Sequence, residues 1–151
     1  MAMFIFLDSA PLSLLARPAL SAEAQPIHAW VAACDAAGHR IIIPEIVDYK
    51  VRREFLRAGR QASVNKLNYL MSSLTYLPIT TAAIVKAAEL WAQTRQQGRP
   101  TAHDQNIDVD VILAAQALTL GVAVNDLVAA TSNERHLSSF VPADLWSNIS
   151  P

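Results

Sequence analysis

Apolar residues in this chain come in short unbroken blocks, separated by longer stretches in which they recur at helical spacing. Phe4-Ile5-Phe6-Leu7 is one such block, the pattern of a strand covered on both faces. Asp8-Ser9 then caps a helix, with Pro11 in the first turn where a missing N–H costs nothing. Residues 23–37 predict a second helix ended by Gly38. The β-branched run Ile41-Ile42-Ile43 after Arg40 predicts the next strand, stopped by Pro44. Over 45–57, Ile46, Val47, Val51, Phe55 and Leu56 keep a helical period, and Gly59 closes that helix. Over 61–74, Val64, Leu67, Leu70, Met71 and Leu74 share one helical face. Tyr76-Leu77-Pro78-Ile79 predicts a short strand whose proline suits a sheet edge.

Thr80-Thr81 caps a helix running to Gln97, ended by Gly98. After a loop at 98–101, the next helix carries Asp110 and stops at Gly121. Either 122–124 or 127–130 can supply the fourth strand. A short helix is expected over 133–140 and a last sheet edge at Leu145-Trp146. Strands alternating with helices predict an α/β sandwich with a mainly parallel central sheet. No internal repeat, low-complexity tract or linker interrupts it, so residues 1–151 are expected to form one domain.

Composition changes this picture little. The chain is 52% hydrophobic and 17% charged, which argues against disorder. Its net charge of −1 gives no general attraction to nucleic acid, so a polyanion would need local basic residues. Lys50, Arg52, Arg53, Arg57 and Arg60 form one such group, although a solvated helix face explains them as well. One cysteine, Cys34, permits no disulfide and no cysteine zinc motif. No apolar stretch reaches the length of a membrane span, and the N-terminus has no basic leader region. The expected location is the cytoplasm.

Three polar features sit where an α/β fold builds sites, at strand ends and helix starts. Asp8 ends the first strand, Asp110 opens the longest apolar helix pattern, and Thr131-Ser132-Asn133 follows the run at 127–130. Each has a plain structural reading as a helix cap or first-turn acid. Together, carboxylates at a sheet edge suggest a hard cation and phosphate chemistry. Asp104 and Asp108 read as solvated or capping acids, and His28, His39, His103 and His136 as ordinary polar residues. Trp30, Trp91 and Trp146 suit core or interface positions.

These motifs resemble a known family. Asp8-Ser9 after the first strand, Asp110-Val-Ile-Leu-Ala-Ala-Gln-Ala117 and Thr131-Ser132-Asn133 are similar to the signatures of PIN-domain nucleases, with VapC toxins of bacterial toxin–antitoxin pairs the nearest resemblance. Asn133-Glu134-Arg135-His136-Leu137 and Pro142-Ala143-Asp144-Leu145-Trp146 resemble the C-terminal segment of those toxins. The resemblance implies a PIN-like three-layer α/β/α sandwich and a metal-dependent endoribonuclease that hydrolyses RNA phosphodiester bonds. It implies Asp8 and Asp110 as ligands of Mg²⁺ or Mn²⁺, Asn133 touching water or substrate, and Thr131 orienting that shell. It also implies RNA as substrate, a cognate antitoxin protein as partner, and a homodimer, for which the helices at 45–57 and 61–74 are the candidate contact.

Lys50 departs from the pattern. The segment Pro44-Glu45-Ile46-Val47-Asp48-Tyr49-Lys50 resembles the one that carries the family's second acid, and a glutamate is expected at position 50. A lysine there repels a metal. Glu54, one turn on, is one candidate for the missing acid. Weak metal binding through Asp8 and Asp110 alone is a second account. A third has Lys50 pairing with those carboxylates and filling the metal's place, and it is the simplest physically. Lys50 snorkelling to solvent is the bland alternative. A catalytically silent PIN-like module that binds RNA or a partner protein is therefore the competing functional expectation. An aspartyl-phosphate enzyme fits poorly, because Asp8-Ser9-Ala10 lacks a second aspartate.

Overall fold

The computed structural model describes residues 2–18, 21–97 and 104–151, with the side chains of 104–107 excepted. His103, Gly98 and the loop expected at 98–101 lie outside the described residues. Five strands form one sheet: β1 (Phe4–Leu7), β2 (Arg40–Pro44), β3 (Thr75–Leu77), β4 (Leu127–Thr131) and β5 (Ala143–Leu145). Their order is β3-β2-β1-β4-β5, and every neighbouring pair is parallel. Parallel strands need long crossovers, and helices supply them on both faces. These are α1 (Ser9–Leu15), α2 (Gln25–Ala36), α3 (Glu45–Arg57), α4 (Gln61–Ser73), α5 (Thr81–Gln96), α6 (Asp104–Leu118) and α7 (Glu134–Leu137).

The result is the α/β sandwich with a parallel sheet expected from the pattern, in the three-layer α/β/α form that the resemblance implied. Ile5, Phe6 and Leu7 on the central strand are fully buried, which explains why β1 reads as an unbroken apolar run. The core joins them to Ile41, Ile42 and Ile43 of β2, Leu12 and Leu15 of α1, Val47 and Val51 of α3, and Leu113 and Ala114 of α6. Gly38, Gly59 and Gly121 take φ values of 87°, 67° and 90°, the left-handed region that ends a helix cleanly and that β-carbons disfavour.

Three elements differ in detail from the sequence pattern. The fourth strand is Leu127–Thr131; residues 122–123 are loop, and Val124 opens the 3₁₀ turn Val124–Asp126. β3 is Thr75–Leu77, two residues short of the expected end, because the Ile79 N–H bonds to the Glu45 carboxylate at 2.9 Å instead of continuing the ladder. The last edge strand is Ala143–Leu145, and Trp146 begins a 3₁₀ turn whose ring lies 5.7 Å from that of Trp30. Among the described residues no helix is long and apolar enough to cross a membrane.

Chain direction across the sheet decides where a site can form. From β1 the chain moves outward through β2 to β3, then returns to place β4 and β5 on the other side of β1. The order reverses between β1 and β4, and their carboxyl ends open the crevice that open α/β sheets use for ligands.

Candidate functional site

Asp8 and Thr131 stand at the two lips of that crevice, directly after β1 and at the end of β4. The Asp8 N–H donates to the Ala130 carbonyl at 2.9 Å, carrying the β1–β4 ladder one residue beyond the strand. Asp8 then turns out of the sheet and caps α1, its Oδ1 accepting from the Ser9 N–H at 2.8 Å. Its Oδ2 accepts from the Thr131 hydroxyl at 2.7 Å. Thr131 is 1% exposed, and its Oγ1 also accepts the Asn133 N–H at 3.1 Å. Cap, strand end and turn therefore hold the Asp8 carboxylate in one orientation.

Asp110 reaches the same crevice from α6. That helix is pinned over the strand ends by Gln116, which is 2% exposed. The Gln116 amide accepts from the Ile46 N–H at 3.3 Å and donates to the Leu77 carbonyl at 2.8 Å. Such a buried amide satisfies backbone groups that neither helix nor sheet can serve. Asp8, Asp110, Lys50, Thr131, Ser132, Asn133 and His136 all line one cleft of about 240 Å³. Burial pushes the Asp110 carboxyl up to about 7, the charge of Asp8 adds to the rise, and Lys50 opposes it.

Lys50 is half-exposed and faces into this cleft, so it does not simply leave for solvent. Direct pairing, the simplest expectation, is not what the structure has: among the described residues no ion pair joins Lys50 to Asp8 or Asp110. Its ammonium acts across the cleft, through space. Glu54 also departs from expectation. It lies outside the cleft on the solvent face of α3, where its carboxylate accepts from Arg57 at 2.7 Å and that contact lowers its pKa. The one turn of helix that separates it from Lys50 does not bring it into the cleft. Asn133 lines the cleft, but its Oδ1 is committed to capping α7 through the Arg135 N–H at 3.2 Å.

The donor set can be matched to a cation on these grounds. Among the described residues no group of three or more acids, histidines or cysteines converges, so Asp8 and Asp110 stand as a pair. Two carboxylates are enough for Mg²⁺ or Mn²⁺, which keep waters and use substrate phosphate oxygens for the remaining positions. Burial first, and the charge of Asp8 second, raise the Asp110 pKa, and a bound cation would relieve both. The pair fits a hard divalent cation, and Lys50 reduces the net attraction.

Sequence reasoning overlooked a second polar cluster, on the helix that carries Lys50. Asp48 is 6% exposed, and its carboxylate takes two hydrogen bonds from Arg52, at 3.2 and 3.0 Å. Arg52 also donates to Asn68 of α4 at 2.7 Å, and the Tyr76 hydroxyl reaches Asp48 at 3.4 Å. Burial and the charges of Asp48 and Glu45 push the Tyr76 phenol up. The i,i+4 spacing of Asp48 and Arg52 was the available signal. The cluster locks α3 to α4 and β3, fixing the helix that carries Lys50.

No family model matches the sequence, and no curated protein sequence matches it. Solved structures do. VapBC2 from Rickettsia felis, crystallised bound to a DNA fragment from their promoter, contains a chain that superposes with a TM-score of 0.69 at 14% identity, covering 95% of this chain and 99% of that one. FitAcB from Neisseria gonorrhoeae matches with a TM-score of 0.66 at 15% identity, over 97% and 100% of the two chains. VapBC-1 from nontypeable Haemophilus influenzae gives 0.67 at 15% identity, over 97% and 100%. At such identity the likeness shows the fold, which is a VapC-like PIN fold.

Proposed function

We propose that this chain is a VapC-type endoribonuclease that hydrolyses RNA phosphodiester bonds at the Asp8–Asp110 cleft, with its affinity for metal held down by Lys50. The observation that carries the reading is the meeting of Asp8, Asp110, Thr131 and Asn133 at the sheet's switch point, in a fold shared with chains of VapBC complexes. Asp8 and Asp110 would hold Mg²⁺ or Mn²⁺. When bound, such an ion acidifies water and offsets the negative charge that builds on phosphate oxygens.

The chain's own groups supply the rest. Thr131 holds Asp8 in its ligating orientation through the 2.7 Å hydrogen bond. The Lys50 ammonium, across the cleft, attracts a phosphate oxygen as well as repelling a cation. His136 lines the same cleft and would be the side chain to pass a proton to the leaving oxygen. Ser132 and Asn133 line the cleft where the substrate would lie.

A cognate antitoxin is the proposed protein partner, since three of the similar structures are named as VapBC complexes. The exposed Tyr49 and Leu56 on α3 and Tyr69 on α4 offer apolar surface for a homodimer. The proposed setting is the cytoplasm, consistent with Cys34 as a buried free thiol. The presence of Lys50 in the cleft favours, as second reading, a silent PIN-like module that binds RNA or a partner without cutting. A cleavage assay on single-stranded RNA with Mn²⁺, with EDTA and with Asp8→Asn separates the two. Cleavage that needs Mn²⁺ and Asp8 supports the nuclease; RNA binding without cleavage at any Mn²⁺ concentration supports the silent module.

A further inference from the structure

We propose that a cavity of about 470 Å³ between the end of α1 and the start of α4 is a phosphate-oxyanion site, taking a backbone phosphate of the RNA strand away from the cleaved bond. The assignment of RNA rests on the function proposed above; the oxyanion chemistry does not. Ser13, Arg17, Phe55, Arg60 and Ser63 line the cavity, and among the described residues no acid does.

Two independent features converge there. The first is the N-terminus of α4, a 13-residue helix whose cap residue, Arg60, makes no side-chain capping bond. Among the described residues, the N–H groups of Ala62 and Ser63 have no hydrogen-bond acceptor. Free amide donors and the helix dipole favour an anion at this point. The second is the Ser63 side chain, which is 4% exposed and lacks a partner among the described residues. A buried hydroxyl without a partner is costly, and a ligand oxygen would satisfy it.

Charge agrees with this. Arg17 is paired with Glu23, so its positive charge is already offset. Arg60 is exposed and makes no ion pair among the described residues, leaving one net cation at the mouth. A guanidinium beside free amides and a hydroxyl is the donor set that phosphate recognition uses.

The cavity also lies on the same helix pair as the cleft. Ser9 and Ala10 of α1 line the cleft, and Ser13 of α1 lines the cavity, so the two share one helical face. On α3, Lys50 lines the cleft and Phe55 the cavity. From Asp8 to Ser13 the rise is about 7.5 Å. A strand whose reacting phosphate sits at Asp8 could therefore run along α1 and α3 and place a phosphate further along the chain at the cavity.

The test uses the full chain in EDTA, so that cutting does not intrude. Binding of a short labelled single-stranded oligoribonucleotide is followed by anisotropy across a salt series, and inorganic phosphate by calorimetry. Arg60→Gln is expected to weaken both ligands, RNA by about fivefold to tenfold with a salt slope lower by about one. Ser63→Ala should weaken both severalfold and leave the slope unchanged, since it removes a neutral donor. Arg57→Gln deletes the same charge outside the cavity and should change neither by more than about twofold. RNA affinity that falls equally in Arg57→Gln and Arg60→Gln, or in neither, overturns the cavity site while leaving the nuclease reading intact. Phosphate binding that depends on Arg60 without any RNA binding overturns the RNA assignment of the cavity, while the nuclease reading stands or falls by the Mn²⁺ cleavage assay above.

Discussion

The Thr131 hydroxyl donates to Asp8 Oδ2 at 2.7 Å, tying together the ends of two neighbouring strands that are 123 residues apart in sequence. Few contacts in this chain link fold and site so directly. The bond closes the β1–β4 seam and also orients the carboxylate proposed to hold the cation.

Thr131→Val keeps the shape and removes the donor. Asp8 would lose a hydrogen bond to a charged group, worth roughly 1.5–3 kcal/mol, partly repaid where solvent reaches Asp8. The expected stability loss is about 1–2 kcal/mol by urea denaturation, with Mn²⁺ affinity lowered severalfold. An unchanged Mn²⁺ affinity would show that Thr131 serves the fold alone.

Asp110 makes stability depend on pH in a direction opposite to most acids. Burial and Asp8 raise its pKa from 3.8 to about 7, so between those values the folded chain holds a proton that the unfolded chain has released. Stability from this group is therefore greatest at low pH, falls as pH rises toward 7, and levels off above it. Asp110→Asn stays neutral throughout. In EDTA it should raise Tm by about 4 °C or more at pH 8, given about 2–4 °C per kcal/mol for a chain of this size. At pH 4 the gain should nearly vanish. Equal gains at both pH values would contradict the raised pKa.

The legible parts of the chain were those written in local pattern. β1 and β2 are buried on both faces and read as unbroken apolar runs, while α3 and α4 carry one apolar face each. Asp8 and Thr131 could be singled out because they follow such runs directly. The choice between 122–124 and 127–130 for the fourth strand was not legible, since both are short and apolar and only pairing with β1 decides. The direction of Glu54 was equally hidden. It shares a helix with Lys50, but its orientation depends on Arg57 one turn on, a surface pairing that apolar periodicity does not register. Gln116 broke an otherwise apolar run and could have flagged a buried anchor.

Asp48 should prove more important to stability than its place on a charged helix suggests. It is 8% exposed at the side chain and satisfies Arg52, which is 24% exposed. Asp48→Ala leaves that guanidinium half-buried with only Asn68 and Met71, and removes a partner of Tyr76. Loss of one member of such a pair costs about 2–4 kcal/mol. Chemical denaturation measures it, and a loss below about 0.5 kcal/mol would mean that solvent replaces the carboxylate.

Leu56 tests the dimer. It is 56% exposed on α3, two turns from the equally bare Tyr49, and Tyr69 of α4 is as exposed. Leu56→Asp puts a charge into that surface without touching the core, so Tm in the monomer should hardly move. Sedimentation should show a dimer for the unaltered chain at tens of micromolar (roughly where weak dimers form) and a monomer for the variant. A dimer that survives Leu56→Asp but not Trp91→Asp would move the interface to α5, where Ile84, Val85 and Trp91 are exposed.

Lys50→Glu is the substitution with the clearest expected gain. The lysine faces the cleft of Asp8 and Asp110 but forms no ion pair with either, so no contact is broken by removing it. The change replaces a repelling charge with a third carboxylate beside two that already share burial. Without metal this is unfavourable: three acids crowd one cleft, the Asp110 pKa should climb further, and Tm in EDTA should fall. With Mn²⁺ the sign reverses, because each carboxylate now gains a common cation. Titration calorimetry should show affinity tighter by about tenfold or more, one restored charge contact being worth at least about 1.4 kcal/mol. RNA cleavage should rise in parallel, and Asp8→Asn in the same background should abolish it. If the unaltered chain already binds Mn²⁺ and cuts RNA as well as Lys50→Glu, then Lys50 does not restrain the site, and its ammonium is better assigned to the RNA phosphate alone.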